Sequence, residues 1–192
     1  MIKTILLVVV AIFVLAIGAV LVYAATKPDT FSVQRSTSVK APSEKIFALI
    51  NDFRHWGSWS PYEHKDPAMK RTYSGSESGK GAVYEWDGDK NVGKGRIEIT
   101  DTSPPNKVTI KLTMIKPFEA HNIVEFTLEP KGEFTTVTWA MNGQVPYLAK
   151  IVHVFLNVDR MVGDDFEAGL FKLKATAEIA NLRAIAEGGK VL

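Results

Sequence analysis

The chain has 192 residues, of which 46% are hydrophobic and 23% charged, with a formal net charge of +2 and no cysteine. The lack of cysteine excludes a disulfide framework and a thiol nucleophile. Basic and acidic residues are interspersed, so the sequence has no clustered basic face and we predict no nucleic-acid partner.

The N-terminal segment contains one long uncharged, mostly apolar run, residues 4–26, bounded by Lys3 and Lys27. An α-helix rises about 1.5 Å per residue and needs roughly 20 apolar residues to cross the hydrocarbon core of a bilayer. We therefore predict a membrane protein with a single-pass N-terminal anchor over residues 1–27, in contact with the membrane through residues 4–26. The remaining residues 28–192 have a length typical of one soluble domain.

Two properties of this segment stay open. Small residues near Tyr23 and Ala24 offer a signal-peptidase site, but a secretory h-region usually has about 7–15 apolar residues, so the longer run favours a retained anchor. Basic residues that follow the span, among them Lys27, Arg35 and Lys40, favour a cytoplasmic domain. A short N-terminal tail is also common in exported domains, so the side of the membrane is undecided.

The first elements of the soluble part are a strand and a helix. Residues 31–39 alternate apolar and polar side chains, which predicts a half-buried strand. Pro42 suits a first helical turn and Ile46, Phe47 and Ile50 recur at helical spacing, which predicts a helix over residues 42–51. The aromatic-rich residues 52–62 predict a second short helix or tight loop with its tryptophans turned inward.

Residues 81–141 show the two-residue period of β-structure, interrupted by turn residues. In residues 107–115 apolar side chains alternate with lysine and threonine, so one face of the sheet is buried and one is wet. The order predicts a long antiparallel meander with strands over residues 81–87, 92–100, 107–115, 120–128 and 134–141.

The last fifty residues return to a helical period from near Pro146, and Gly163 is a predicted bend. A helix with one apolar stripe and a sheet with one apolar face bury each other, and partial separation of the two leaves an apolar cavity. The stripe consists of Phe155, Val158, Val162, Phe166, Leu170, Leu173 and Ala177.

Five segments stand out by their order and spacing: residues 41–50 (APSEKIFALI), 56–62 (WGSWSPY), 81–86 (GAVYEW), 93–95 (GKG) and 136–139 (TVTW). In these segments the chain resembles the START-like, Bet v 1-like (SRPBCC) superfamily, specifically its bacterial polyketide cyclase/dehydrase and lipid-transport branch. The resemblance covers residues 31–178. It implies an α+β helix-grip fold, in which a seven-stranded antiparallel sheet curls around a long C-terminal helix with a hydrophobic ligand cavity between them. It implies no single chemistry, because this fold carries several functions.

Glu85 is one candidate catalytic residue. It shares a predicted strand with Tyr84 and Trp86, and a carboxylate beside apolar walls can serve as an acid or base. Alternation places Glu85 on the opposite face from its two neighbours, so the ordinary interpretation is a solvated glutamate.

Two histidines are further catalytic candidates. His121 shares a strand face with Glu119 and Glu125, and a histidine flanked by carboxylates can move a proton. A solvated salt-bridge ladder explains the same pattern. His153 lies near the start of the C-terminal helix, where cavities of the resembled family often open, and its alternative is a partly buried structural histidine.

An apolar pocket with a few polar tips is the usual site for a small hydrophobic ligand. We expect Trp139 to be core packing. The predicted ligand-binding residues are Trp59, Tyr62, Tyr84, Trp86, Met114, Phe126, Phe155 and Phe166.

The four histidines lack the spacing of metal ligands, and the sequence has neither a His-Glu-x-x-His motif nor a compact carboxylate set. We predict no metal and no cofactor.

Three functions remain as hypotheses. The leading one is membrane-anchored binding or transport of a hydrophobic small molecule or lipid. The second is a polyketide cyclase/dehydrase-type enzyme that acts on a cavity-bound carbonyl compound, for which catalysis needs several titratable groups that converge in one pocket. The third is a non-enzymatic scaffold that binds another protein through an exposed apolar patch. We favour a protein without catalytic activity; its protein partners and oligomeric state are undetermined.

Overall fold

The computed structural model describes residues 1–188, and the sheet is the frame of the fold. Its seven strands are all antiparallel, in the order β1-β7-β6-β5-β4-β3-β2. The predicted α+β helix-grip fold with a seven-stranded sheet and a long C-terminal helix is confirmed. The strands are β1 (Thr30–Val39), β2 (Lys70–Gly75), β3 (Ala82–Asp87), β4 (Lys94–Ser103), β5 (Lys107–Lys116), β6 (Ala120–Lys131) and β7 (Phe134–Gln144).

In the sequence, helices precede β1, separate β1 from β2 and follow β7. The short helices join β1 to β2, which are the two edges of the sheet, and α5 packs along β1. The helices are α1 (Ile2–Ala25), α2 (Ser43–Asn51), a 3-10 helix (Phe53–Ser58), α3 (Pro61–Lys65), α4 (Tyr147–Phe155) and α5 (Val158–Gly188).

Strand β2 was not predicted from the pattern of residues. Its side chains are almost all exposed, because it forms an edge of the sheet and pairs only with β3. A strand whose two faces are both exposed to solvent has no alternation of apolar and polar residues from which it could be predicted.

The inward-turned tryptophans of the predicted short helix are confirmed, and they hold the end of α2. The indole nitrogen of Trp56 donates to the carbonyl of Ile50, and that of Trp59 to the carbonyl of Leu49, each at 3.0 Å. The last four carbonyls of a helix have no partner within it. The tryptophans satisfy two of them while burying their rings in the core.

The helix assignment is not interrupted at Gly163, where the sequence predicted a bend. The C-terminal helical region breaks instead at Leu156 and Asn157, and α5 then runs unbroken through Gly163. The Asn157 side chain accepts a hydrogen bond from the backbone nitrogen of Arg160 at 2.9 Å, which is the usual role of an N-cap asparagine. The guanidinium of Arg35 lies directly over Gly163, and the methyl group of an alanine at this position would overlap it.

Helix α1 stands apart from the sheet and meets the rest of the chain at α4. It is the one helix among residues 1–188 that is long and apolar enough to cross a membrane, and its apolar window is not buried in the protein. A signal sequence satisfies the same criterion, so the retention of α1 as an anchor and the division at residue 27 stay predictions.

The buried stripe of α5 is testable with a matched pair of leucines. Leu173 is fully buried against the sheet, whereas Leu182, on the same helix, is largely exposed. We expect Leu173→Ala to lower the free energy of unfolding by about 2–5 kcal/mol, because it removes buried methyl groups and leaves a cavity. Chemical denaturation of the full chain in detergent measures the effect. Leu182→Ala is the control, and equal losses in the two variants would contradict the assigned packing.

Candidate functional site

A cavity of about 340 Å³ lies between the sheet and the first turns of α5. Residues from α3, strands β3 to β7 and α5 line it, and most of the lining is apolar. Its exposed lining residues are Lys65, Asn91 and Met161, which mark its mouth. This volume lies at the lower end of the range of about 300–1,000 Å³ that is typical of small-molecule sites.

Trp86 forms one wall of the cavity. Its ring covers Gly95 on the neighbouring strand, where any side chain would overlap the indole. Its indole nitrogen donates to the carbonyl of Val92 at 3.0 Å. The glycine therefore lets the indole lie against the strand while its polar atom is satisfied within the protein.

A second wall carries a buried polar network around Glu63. The Tyr84 hydroxyl donates to one carboxylate oxygen of Glu63 at 2.5 Å, and Arg71 Nε donates to the other at 2.7 Å. Tyr73 stacks on Tyr84 with ring centroids 5.0 Å apart. Burial, and then the hydrogen bond to Glu63, raise the pKa of Tyr84 well above its ordinary value. Tyr84 is therefore a neutral hydrogen-bond donor at physiological pH.

The charges at the mouth are also paired. Lys65 donates to a carboxylate oxygen of Asp165 at 2.6 Å and lies over the ring of Tyr62. Burial raises the pKa of Tyr62, with a smaller contribution from the negative charge of Asp165. The phenol of Tyr62 thus stays protonated across the physiological range.

Two buried polar atoms of lining residues have no hydrogen-bond partner within residues 1–188: Oδ1 of Asn122 and Nε1 of Trp139. Asn122 is 8% exposed and Trp139 is 2% exposed. A buried polar group without a partner costs about 1–3 kcal/mol. Each such group therefore needs a physical explanation, such as a bound water or a ligand.

The structure places the predicted ligand-binding residues in three settings. Tyr62, Tyr84, Trp86, Met114 and Phe166 line the cavity. Trp59 and Phe126 do not line it, because both are fully buried and pack edge to face against each other in the filled part of the core. Phe155 lies on α4, where it is 71% exposed and outside the cavity lining.

None of the three catalytic candidates lines the cavity. Glu85 is exposed on the outer face of the sheet, in register with Arg96 of the next strand. His121 is exposed and its Nε2 is 3.2 Å from a carboxylate oxygen of Glu119, which matches the salt-bridge interpretation. The ring of His153 packs edge-on against Phe31, with centroids 6.5 Å apart.

Asn122, Glu63 and Trp139 are among the lining residues that the sequence did not predict for the site. Asn122 occupies the inward position of β6 two residues before Val124, so a polar residue at a buried place in the alternation was the available signal. Glu63 sits in a five-residue helix, too short to show a period. Trp139 was expected to be core packing; it is buried and also lines the cavity.

Among residues 1–188, no three histidine or acidic side chains come together in a group that could hold a metal ion.

Comparison with known proteins places the chain in a family. A family model described as polyketide cyclase / dehydrase and lipid transport matches residues 30–178. The chain belongs to this family. No curated protein matches the chain in sequence.

Solved structures with a similar fold extend the comparison. Major latex-like protein 151 from Panax ginseng has 18% identity and a TM-score of 0.57, and the match covers 78% of this chain and 99% of that one. Protein CV1439 from Chromobacterium violaceum has 15% identity and a TM-score of 0.55, with 79% and 99% covered. The di-domain ARO/CYC StfQ of the steffimycin biosynthetic pathway has 10% identity and a TM-score of 0.57, with 79% and 51% covered. At these identities the likeness concerns the fold.

The raised pKa of Tyr84 predicts a pH dependence of stability. Its folded-state pKa lies above the unfolded value of about 10, so its stabilisation is complete below about pH 10 and is lost as the pH rises further. We expect the urea midpoint to fall more steeply between about pH 10 and about pH 12 in the unmodified protein than in Tyr84→Phe. Equal slopes in the two proteins would argue against the protonated Tyr84–Glu63 pair.

Proposed function

We propose that the protein binds a neutral hydrophobic small molecule or lipid in the cavity between the sheet and α5 and that α1 holds it at a membrane. The observation that carries the proposal is an apolar cavity of ligand size whose charged lining residues are all paired within the protein. Membership of a family that includes lipid transport supports it.

The pairing of charges supports a neutral ligand. Glu63 is held by Arg71, and Lys65 by Asp165, with donor–acceptor distances of 2.7 and 2.6 Å. An ionised ligand group would have to break one of these pairs or stay unpaired, and an unpaired buried charge is strongly destabilising. A fatty-acid carboxylate or a phosphate is therefore disfavoured.

The two unpaired polar atoms support a ligand with hydrogen-bonding groups. Asn122 offers a carboxamide and Trp139 an N–H donor, both buried and both on cavity-lining residues. A ligand hydroxyl can donate to Oδ1 of Asn122 or accept from Nε1 of Trp139, whereas a ligand carbonyl can only accept from Trp139. The proposed ligand class is thus a neutral apolar molecule that carries at least one such oxygen.

The anchor completes the proposal. A ligand of this class partitions into bilayers, and tethering raises the effective concentration of the pocket at the surface where the ligand resides. The length and hydropathy of α1 support a single span.

A cyclase/dehydrase-type enzyme is the second candidate function, and the Tyr84–Glu63 pair favours it. The Tyr84 hydroxyl has a single proton, which it donates to Glu63, and it can turn this proton to a ligand carbonyl when the carbonyl takes the place of the carboxylate as acceptor. One protein of similar fold, StfQ, is an ARO/CYC protein of a biosynthetic pathway. Turnover of the bound molecule that Tyr84→Phe abolishes, with binding retained, would favour the enzyme over the carrier.

Occupation of the cavity is tested by native mass spectrometry of the full chain, purified in detergent from its own lipid background. We expect a neutral apolar adduct, identifiable after extraction. Met114→Trp should remove most of it, because the larger ring takes up cavity space. Ile123→Trp, on the outer face of β6, is the matched control and should keep it. An adduct that persists in Met114→Trp, or its absence from the unmodified protein, would contradict the proposal.

Asn122 offers a separate test, in which stability and binding change in opposite directions. Asn122→Leu removes a buried amide oxygen that has no partner within residues 1–188, so the ligand-free protein should be more stable by about 1–3 kcal/mol. Adduct occupancy should fall by about tenfold, which corresponds to about 1.4 kcal/mol of lost binding. Thermal unfolding and native mass spectrometry measure the two effects. Unchanged occupancy would show that Asn122 does not contact the ligand.

A further inference from the structure

Helix α4 and the start of α5 carry a group of exposed apolar side chains, most of them outside the cavity. Leu148 and Phe155 are 77% and 71% exposed, and Leu156 and Met161 are exposed as well. Leu148, Val152 and Phe155 are spaced by four and three residues, so they lie along one face of α4. Contiguous exposed apolar surface marks an interaction site, unlike scattered single residues.

The opposite face of α4 is fixed to the rest of the protein. Lys150, on that face, is buried and pairs with Asp29 at 2.5 Å, and the backbone oxygen of Asp29 accepts from Val145. The Tyr147 hydroxyl donates to the carbonyl of Leu21 in α1 at 2.9 Å. The apolar face therefore points away from the domain, in an orientation set relative to α1.

The contact with α1 sets the depth of α4. Leu21 lies four residues before the end of α1 at Ala25, which is about 6 Å along the helix axis. Just beyond, the ammonium of Lys27 lies 4.6 Å from the centre of the Tyr23 ring. Tyrosines concentrate at the membrane–water interface, and lysines near helix ends extend their charge to it. The start of α4 thus lies at the level of α1 where the span leaves the hydrocarbon.

We propose that α4 is an interfacial helix whose apolar face, Leu148, Val152 and Phe155, docks onto the bilayer that α1 spans. Because α4 contacts α1, the proposed membrane span, the lipid surface is the occupant that we assign to this face. An amphipathic helix that lies in the interface buries its apolar face about 5–10 Å into the headgroup and acyl boundary. This inference rests on the proposed anchor and is independent of the ligand.

Docking of α4 brings the mouth of the cavity to the membrane. Met161 belongs both to the exposed apolar surface and to the lining of the cavity, and it lies in the first turn of α5. Val162 and Phe166 continue the lining inward from it. A ligand dissolved in the bilayer can then pass along apolar side chains into the cavity with little exposure to water.

The lack of cysteine allows a direct test with single-cysteine variants of the full chain. Leu148→Cys and Phe155→Cys are labelled with an environment-sensitive fluorophore and placed in phosphatidylcholine nanodiscs. Glu133→Cys is the control, because Glu133 is exposed in the turn before β7, at the opposite end of that strand from α4. Spin-labelled lipid and aqueous iodide serve as the two quenchers.

We expect the labels at positions 148 and 155 to show a blue-shifted emission and severalfold stronger quenching by lipid than the label at 133. Labels at 148 and 155 that iodide quenches as strongly as the control would overturn the proposal. Labels that neither quencher reaches would report a protein partner or a second copy on this face, which overturns it equally.

Failure of the docking and failure of the ligand proposal are distinguishable. The fluorescence experiment contains no ligand, and the adduct experiment is read in detergent without a bilayer. In addition, Leu148→Ser with Phe155→Ser should leave the adduct occupancy in detergent unchanged and slow severalfold the transfer of the identified adduct from vesicles. Unchanged transfer would overturn the proposed role of α4 in delivering the ligand.

Discussion

The stacked rings of Trp139 on β7 and Phe166 on α5 join the sheet to the long helix. The division of the interior into a filled core and a cavity depends on this contact. The two rings are nearly parallel, with centroids 4.1 Å apart and an interplanar angle of 10°. Gly169, one turn further along α5, permits this approach, since a side chain there would press on the indole and on Pro61. The contact lies at the border between two kinds of interior. On one side Trp59 and Phe126 fill the core, and on the other the sheet and helix separate enough to leave the cavity.

This arrangement connects the stability of the fold with the proposed ligand binding. Trp139 holds helix and sheet together, yet its indole nitrogen is buried without a partner in the described chain. The amide oxygen of Asn122 shares that property. Asn122 lies on β6, four residues before Phe126, which is the residue paired with Trp139 in the sheet. A core selected only for stability would replace both polar groups by apolar ones, because unpaired buried polar atoms are costly. Their presence beside a cavity fits the general observation that functional sites retain locally destabilising groups.

The sequence predicts the elements that have one buried and one exposed face, because such an element shows a periodic pattern of apolar and polar residues. Residues 107–115 alternate because one side of β5 packs on the core and the other meets water, and the predicted strand matches the observed one closely. The same reasoning fails for β2, whose two faces are both exposed, and for Glu63, whose helix is too short for a period. It also fails to separate Trp59 from Tyr62. Both are aromatic and inward, and only the three-dimensional packing shows that one fills the core and the other lines a cavity.

The break at Asn157 separates α4, the proposed interfacial helix, from the helix that shapes the cavity. Beyond the break, Arg35 of β1 holds the first turns of α5 through Asp159 and Glu167, with Nε 2.8 Å from the glutamate, and hydrogen bonding to Arg35 lowers the pKa of the Asp159 carboxyl. Before the break, α4 is tied to α1, to Asp29 and, through the contact of His153 with Phe31, to β1. The two helices therefore have separate attachments to the rest of the protein. Because Arg35 ties α5 directly to the sheet, the proposed docking of α4 on the bilayer need not displace the helix that forms the cavity.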